Sequence, residues 1–465
     1  MALTGKDLID MGYEPGAWFQ TALVEANERN LSGEPLRSFL DAQKPAAKLP
    51  LRDGLAFHRN IRAETEHEVA NVAKVDETMI ELCRTPTLTE AAVMPDACPA
   101  GSVGTIPVGG IAVAEGAIHP GMHSADICCS VMITEYPEAE PKVILDAVQA
   151  VTHFGPGGRA NGRRFTLAPK LLDDFRENFY LRDKKIVQAA QEHMGTQGDG
   201  NHFAFVGTSK ASGHTCLVTH HGSRGPGAGL YKLGMRTAEQ FRRKLSPDTL
   251  KTNAWIPFDT REGEDYWAAL QIIRRWTKAN HNCLHAATAE LSKTPSGRRF
   301  WNEHNFVFRD GNAFYHAKGA TPVDGKFLPD TEGLQIVPLN MAEPVLIVRG
   351  ETTATNLGFA PHGAGRNYSR GAHKRMQGDR TDQQVFDEET AGIDARFWSQ
   401  NIDTSELPSA YKDAATVRAQ MDEFKLAEVV DQIMPYGCIM AGDWERDAPW
   451  RTRGKARQRE ANRRH

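Results

Sequence analysis

The residues that carry chemistry in this chain fall into five short clusters, far apart in sequence, and several abut runs of β-formers. They are Asp126-Ile127-Cys128-Cys129, Gly200-Asn201-His202-Phe203, His220-His221-Gly222-Ser223-Arg224-Gly225, Glu303-His304-Asn305 and Pro361-His362-Gly363-Ala364-Gly365-Arg366, the last followed by Ser369-Arg370. No repeat and no coiled-coil heptad accompanies them. A fold that uses these clusters together must gather distant strand ends at one place, which points to an α+β chain rather than a helical bundle or a repeat array.

The coarse order of elements agrees. Residues 18–27 and 66–83 have helical spacing, interrupted at Gly33-Glu34-Pro35 and Lys48-Leu49-Pro50, which predicts a small helical N-terminal arm over residues 1–85. Residues 106–113 and 129–134 read as short buried strands. Residues 141–190 read as charged helices around a glycine loop at Gly155-Pro156-Gly157-Gly158. Cys216-Leu217-Val218-Thr219 reads as a strand that delivers His220 at its end. Helical runs follow at 236–245 and 266–291, then strands at 306–308, 313–316 and 345–348. The expectation is one large mixed domain over 86–442 with short strands around a central metal site, then a basic, unstructured tail over 443–465.

At about 100–200 residues per domain, 465 residues allow two or three domains or one large body with a smaller attachment. A formal net charge of −4 excludes a polycation, so any nucleic-acid site in the body must come from local arginine placement. The tail is different: Arg451, Arg453, Lys455, Arg457, Arg459, Arg463 and Arg464 face one acid, Glu460. The 7 cysteines, an odd number in no regular framework, fit reduced thiols better than a disulfide scaffold. The start, Met1-Ala2-Leu3-Thr4, has no signal-peptide pattern, and no apolar run approaches the ~18–20 residues of a membrane span. A soluble cytoplasmic protein with no membrane partner is expected.

Histidine, cysteine and aspartate bind first-row transition metals. Asp126 and Cys129 are three apart, so one turn can point both at an ion, with Cys128 as the adjacent competitor. His202, His220 and His304 add imidazoles from three further segments. Together they suffice for two metals sharing a sulfur, and paired ions hold the attacking and leaving oxygens of a phosphoryl transfer. Imidazole and thiolate suit zinc, while a carboxylate with open water positions admits manganese or iron. Spacing alone leaves open whether they converge, since single strand-end histidines are commonly core residues and His119, His123, His214, His221, His285, His316 and His373 are also present.

Gly363-Ala364-Gly365 after His362 lets backbone N–H groups face an anion. Arg366 and Arg370 lie four apart, where a shared helix face would clamp a phosphate between two guanidiniums. His362 is then a candidate nucleophile on phosphorus, able to form a phosphoramidate. The 220–225 segment offers a second anion loop, with Arg224 as its grip. Glycine turns with solvated arginines remain the alternative for both loops.

Taken together and in order, these motifs resemble those of the RtcB family of RNA ligases: Asp126-x-x-Cys129, Gly200-Asn201-His202-Phe203, His220-x-Gly-Ser-Arg224-Gly, His304-Asn305-Phe306, Lys318-Gly319-Ala320-Thr321 and His362-Gly-Ala-Gly-Arg366. Met94-Pro95-Asp96 and Ala410-Tyr411-Lys412-Asp413 match as well, so the resemblance runs from about residue 90 to 440. It implies a GTP- and manganese-dependent enzyme of RNA repair or tRNA splicing, with zinc or cobalt as other possible metals. Such an enzyme joins RNA 3′-phosphate or 2′,3′-cyclic phosphate ends to 5′-hydroxyl ends, and can involve an archease-type activator. By position, Asp126, Cys129, His202, His220 and His304 match metal ligands, and His362 matches the histidine that becomes guanylylated. Asn201, Gly363, Ala364, Gly365, Asn340 and Tyr411 match nucleotide contacts, and Arg224, Arg366 and Arg370 match residues that hold RNA phosphates.

The chain also departs from the family pattern. Phe205 stands at the glutamate of Asn-His-Phe-x-Glu, and Ile439-Met440-Ala441-Gly442 lacks the lysine of the usual Val-Lys-Gly end. Pro338-Leu339-Asn340-Met341 replaces Pro-Gly-Ser-Met, Ser130 replaces a glycine, and Cys98 replaces a histidine. The family's glutamate and lysine at these places bind guanine, and a phenyl ring has no acceptor to offer its N–H groups. Relaxed or changed nucleotide choice is therefore expected. A metal-dependent cyclic phosphodiesterase or other phosphoesterase, and a non-catalytic binder of RNA ends, stand as the other readings.

Overall fold

A computed structural model describes residues 2–44, 48–328 and 332–444, so the basic tail from Arg451 onward lies outside the described residues. The chain divides into two compact units: residues 1–50 with 243–248, and residues 51–242 with 249–465. This division falls at Pro50 rather than near residue 85, and the helix Glu66–Leu82 belongs to the larger unit.

The small unit is built on helices Gly5–Asp10, Trp18–Glu28 and Gly33–Gln43. Thr4 and Asp7 close a reciprocal capping box on the first. Leu8, Phe19, Ala22, Ala26, Leu36 and Leu40 form a common core, each large apolar side chain contributing roughly 1.5–3 kcal/mol on burial.

The larger unit mixes helix and sheet, as the α+β expectation requires. One sheet runs in the order His58–Arg59, Leu88–Cys98, Val108–Glu115, Ala313–Lys318, Asn305–Asp310. The other runs Gln335–Val337, Val345–Arg349, Glu428–Met440, Phe203–Ser209, Thr215–His221, Ser130–Tyr136, Arg299–Glu303, with Asp394–Phe397 parallel to Glu428–Met440. Most pairs are antiparallel, so the start of one strand lies beside the end of the next. A short pair, Ala320–Pro322 with Phe359–Pro361, sets Ala320 opposite Pro361.

The helix Arg261–Ser292 runs from a Thr260 cap, whose hydroxyl accepts from Gly263 N, to left-handed Lys293. It buries Tyr266, Leu270, Ile273, Trp276, Leu284 and others. The expected helix at 236–245 is the end of a longer one, Arg224–Leu245. The strand Glu428–Met440 has no counterpart among the sequence expectations. Pro435 and Gly437 flank a register shift inside it, and such residues read as breaks. Among the described residues no helix is long and apolar enough to cross a membrane, and the seven cysteines are free thiols.

Buried histidines outside the candidate site give a pH prediction. His119 bonds Thr87 Oγ1 and Asn253 O, and burial pushes it down to about 3. His123 bonds Ser124 O and Tyr266 Oη, and burial pushes it down to about 4. Above pH ~6.5 both are neutral folded and unfolded, and neither opposes folding. As pH falls below that value only the unfolded chain takes up the protons, so stability is lost, by up to about 1.4 kcal/mol per pH unit for each histidine. Urea midpoints at pH 7.5, 6 and 5 should fall in that order, and His119→Gln should make the fall shallower.

Candidate active site

Sheet register explains how distant clusters meet. Cys129 precedes the strand Ser130–Tyr136, His202 precedes Phe203–Ser209, His220 is next to last in Thr215–His221, and His304 follows Arg299–Glu303. His220 pairs with Phe203 and Val131, Ser130 pairs with Glu303, and His304 N–H donates to Cys129 O at 2.9 Å. The four residues therefore share one end of four adjacent strands. Asp126 joins through a turn closed by Cys129 N–H on Asp126 O at 3.2 Å. Cys128 takes φ 58° and belongs to the apolar core cluster, while Cys129 is the cysteine grouped with the donor side chains. Gly222 is required by contact: a β-carbon there would lie 1.9 Å from Asp126 Oδ1.

The donor atoms converge in two overlapping sets, Asp126–Cys129–His202 and Cys129–His220–His304, each within 4.8 Å. His202 Nε2 lies 2.9 Å from Asp126 Oδ2 and 3.6 Å from Cys129 Sγ. His220 Nε2 lies 3.1 Å from Cys129 Sγ and 3.1 Å from His304 Nε2. His202 Nδ1 meets Gln197 O at 2.6 Å, and His220 Nδ1 meets Asn201 O at 3.0 Å. A carbonyl only accepts, so each Nδ1 carries a proton and each ring turns its Nε2 inward, toward Asp126 for His202 and toward Cys129 for His220. Ring nitrogens, a carboxylate and a sulfur facing one another form a donor set that fits a cation.

The electrostatics agree. Burial pushes Asp126 up, but His202, and more weakly Arg224, outweigh it and hold the carboxyl at about 2. Burial drives His220 down to about 3, and burial with its histidine neighbours holds His304 well below the usual range. Both are neutral, as metal ligands must be. Burial, then Asp126, pushes the Cys129 thiol well above its ordinary value, so a bound cation is what would ionise it.

His362 follows the strand Phe359–Pro361, and its ring centroid lies 4.7 Å from that of His304. Its Nδ1 bonds fully buried Asp96 Oδ2 at 2.6 Å, and its backbone N–H donates to the same oxygen at 3.2 Å. Nε2 is thus the nitrogen left for chemistry. Lys412 Nζ donates to Pro95 O at 3.0 Å and Ala97 O at 2.7 Å, holding the chain on both sides of Asp96. Gly365, at φ 71°, passes so close that a β-carbon would lie 2.0 Å from Asp96 O. The N–H groups of Gly363 and Ala364 have no acceptor among the described residues. A cavity of about 1070 Å³ opens here, lined by residues that include Asp126, Cys129, His220, His304 and His362.

The other expected residues divide. Asn201, Asn340, Tyr411, Gly363, Ala364, Gly365, Arg366 and Arg370 line this cavity. Arg366 and Arg370 share no helix face, because the helix begins at Arg370, capped by Ser369. Both reach Glu406 instead: Arg366 Nη2 at 2.6 Å and Arg370 Nε at 2.8 Å. Tyr411 Oη donates to Glu406 at 2.6 Å, and its ring lies 4.5 Å beneath the Arg366 guanidinium. Arg224 is placed differently. The segment expected to be a glycine loop is a strand end running straight into the helix Arg224–Leu245. Its guanidinium donates to Gly155 O at 2.9 Å and Thr196 Oγ1 at 3.2 Å, and it does not line the cavity. Asp96 and Lys412 stand in strings noticed in the sequence without a role, while nothing in sequence spacing marks Glu406 as the partner of Arg366 and Arg370.

A family model described as tRNA-splicing ligase RtcB matches residues 78–441. The chain is 26% identical over 444 aligned positions to "tRNA-splicing ligase RtcB" of Aeropyrum pernix, covering 78% of this chain and 91% of that protein. It is 26% identical over 413 positions to the protein of that name from Thermococcus kodakarensis, covering 71% and 84%. "RNA-splicing ligase RtcB1" of Escherichia coli is 25% identical over 414 positions, covering 82% and 94%.

Proposed function

This chain belongs to the RtcB family, and from that premise we propose that it is an RNA ligase. It joins 3′-phosphate or 2′,3′-cyclic phosphate ends to 5′-hydroxyl ends through a nucleotide carried on His362, in RNA repair or tRNA splicing. The observation that carries the reading is the His362 imidazole, held through Nδ1 by Asp96 with Nε2 free beside a group of Asp, Cys and His donors.

In the proposed reaction His362 Nε2 attacks the α-phosphorus of GTP. The N–P bond forms, the bond to the bridging oxygen breaks, and pyrophosphate leaves with the electron pair. Asp96 keeps the Nδ1 proton and balances the charge growing on the ring, the role an acid plays beside a catalytic histidine. Asp126, Cys129, His202, His220 and His304 would hold divalent cations, manganese being the proposed metal, which when bound would polarise the phosphate and neutralise the departing charge. The unpaired N–H groups of Gly363 and Ala364 are suited to phosphate oxygens. An oxygen of the RNA 3′-phosphate then attacks the phosphorus of the bound GMP, and the N–P bond breaks with its pair returning to Nε2. The 5′-hydroxyl oxygen attacks the activated 3′-phosphorus, its proton passes to water, and GMP leaves with the bridging oxygen. A 2′,3′-cyclic end is first opened by water to a 3′-phosphate. Intact mass after incubation with GTP and manganese should show one added nucleotidyl group that acid removes. Its absence in metal-loaded protein would favour the phosphoesterase reading.

Arg366 and Arg370 are proposed to take RNA phosphates, with Glu406 setting their orientation. Arg370 is the more available: its side chain is 52% exposed, against 16% for Arg366. Arg370→Ala should weaken binding of a 3′-phosphate RNA and lower the slope of log affinity against log salt by about 1, whatever the sequence. An unchanged slope would remove Arg370 from the RNA path.

A further inference from the structure

The chain that follows the strand Glu428–Met440 is pinned by its backbone. Trp398 N–H donates to Met440 O at 2.8 Å, Ser399 N–H to Ala441 O at 3.0 Å, and Asp443 N–H to Asn401 O at 3.0 Å. Trp444 comes next, beyond residues 78–441 that the family model matches. Among the described residues it is the one exposed tryptophan, at 38%. Its ring lies tilted beside that of Trp398, centroids 6.2 Å apart, and Trp398 meets His153 edge-on at 5.7 Å. The Trp444 ring also covers Gly155, at φ 97°, where a β-carbon would lie 2.7 Å from Cε2. The indole is thus held in place by contact while much of it stays open to solvent.

Two connections set this indole next to the candidate site. The first runs through Gly155. Its carbonyl accepts from Arg224 at 2.9 Å, and its N–H donates to Gly198 O at 2.6 Å. A β-carbon on Gly198 would in turn lie 3.0 Å from His202 Nδ1. The second is the helix Arg370–Met376. Arg370 lines the cavity, which Trp444 does not. Lys374, one turn on, reaches Asp403 at 2.9 Å and Asp443 at 3.2 Å, beside Trp444. Four helical residues rise about 6 Å, on the order of one nucleotide step of an extended strand. Positive charge is tethered nearby as well. Arg451 opens the basic run and is the seventh residue after Trp444, and seven residues reach at most about 25 Å.

We infer that Trp444 is a stacking platform for an unpaired base of the RNA strand that ends in the 3′-phosphate, just outside the cavity and about one nucleotide from the phosphate on Arg370. Every base has a π-face, so such a platform adds affinity without reading sequence. A base inside a duplex has both faces covered, so the platform favours an unpaired end. The inference rests on the proposed RNA ligase reading and adds the path of the strand beyond the cavity.

The test is binding of a short single-stranded RNA ending in a 3′-phosphate to the full chain loaded with manganese, read by fluorescence anisotropy. Trp444→Ala is expected to weaken binding about 10-fold, the size of one lost base–aromatic stack. The slope of log affinity against log salt should stay as in the parent chain, because no phosphate contact is lost. Trp444→Phe should recover most of the affinity. Trp444→Leu keeps apolar packing on Gly155 without an aromatic face, so it should bind as weakly as Trp444→Ala and serves if alanine disturbs the fold. RNAs with a single abasic nucleotide locate the partner: one position should weaken binding to the parent by a similar factor and make no difference to Trp444→Leu. Parental affinity in both Trp444→Ala and Trp444→Leu overturns the inference, and so does an abasic scan in which no position loses its effect with the ring. A parent chain that binds no RNA defeats the ligase reading itself.

Discussion

His362→Ala will take up no nucleotide from GTP and manganese, and will join RNA ends at least about 10³-fold more slowly, the order of loss seen when a nucleophile is removed. The substitution also takes the Nδ1 partner from fully buried Asp96, so a lower melting temperature is expected beside the lost labelling, which is read on protein shown to be folded. No neighbour can substitute. His304 is the adjacent ring, but its Nε2 faces His220 Nε2 at 3.1 Å and is committed to the donor group. Asp96→Asn separates orientation from charge: an amide oxygen can still accept from Nδ1–H, but it cannot balance an imidazolium. Labelling by Asp96→Asn should therefore slow without vanishing, by about 10²-fold on the scale of a proton-managing group. Wild-type labelling in His362→Ala, followed by mass spectrometry of the acid-labile adduct, would move the nucleophile elsewhere.

Much of the fold was legible because the pattern is local. The helices Trp18–Glu28 and Glu66–Leu82 lie where periodicity predicts them, and the strand Thr215–His221 carries His220 as expected. The five donor positions were legible as residue types, but their convergence was not, because it depends on strand order. Only the pairing of Ser130 with both His221 and Glu303 brings residue 129 beside residues 220 and 304. Nor does the sequence separate the adjacent cysteines, of which Cys128 sits in the apolar core cluster and Cys129 among the donor side chains. Arg366 and Arg370 read as a helical clamp from their spacing of four. Their actual geometry follows from a buried carboxylate, Glu406, some 40 residues on. Arg224 reads as an anion grip from its glycine neighbours. The structure spends it on the carbonyl of Gly155, a contact no local pattern encodes.

Removing the sulfur of Cys129 should be more damaging to metal binding than removing any one imidazole. Cys129 is the residue common to both donor sets, whereas His202 belongs to one and His304 to the other. If both sets bind cations, His304→Ala should keep about one ion of two and Cys129→Ala should keep neither at micromolar free manganese. Metal analysis after gel filtration reads this directly. Ligation by Cys129→Ala should fall at least about 10³-fold, since paired ions supply several kcal/mol of transition-state charge stabilisation. Cys129→Ser sharpens the point. Its hydroxyl is nearly the right size but does not ionise near neutral pH, so it cannot give each of two cations a share of one negative charge. Metal retention in Cys129→Ser at the parent level would mean that the sulfur only packs beside the histidines, and that Asp126 supplies the anionic charge of the site alone.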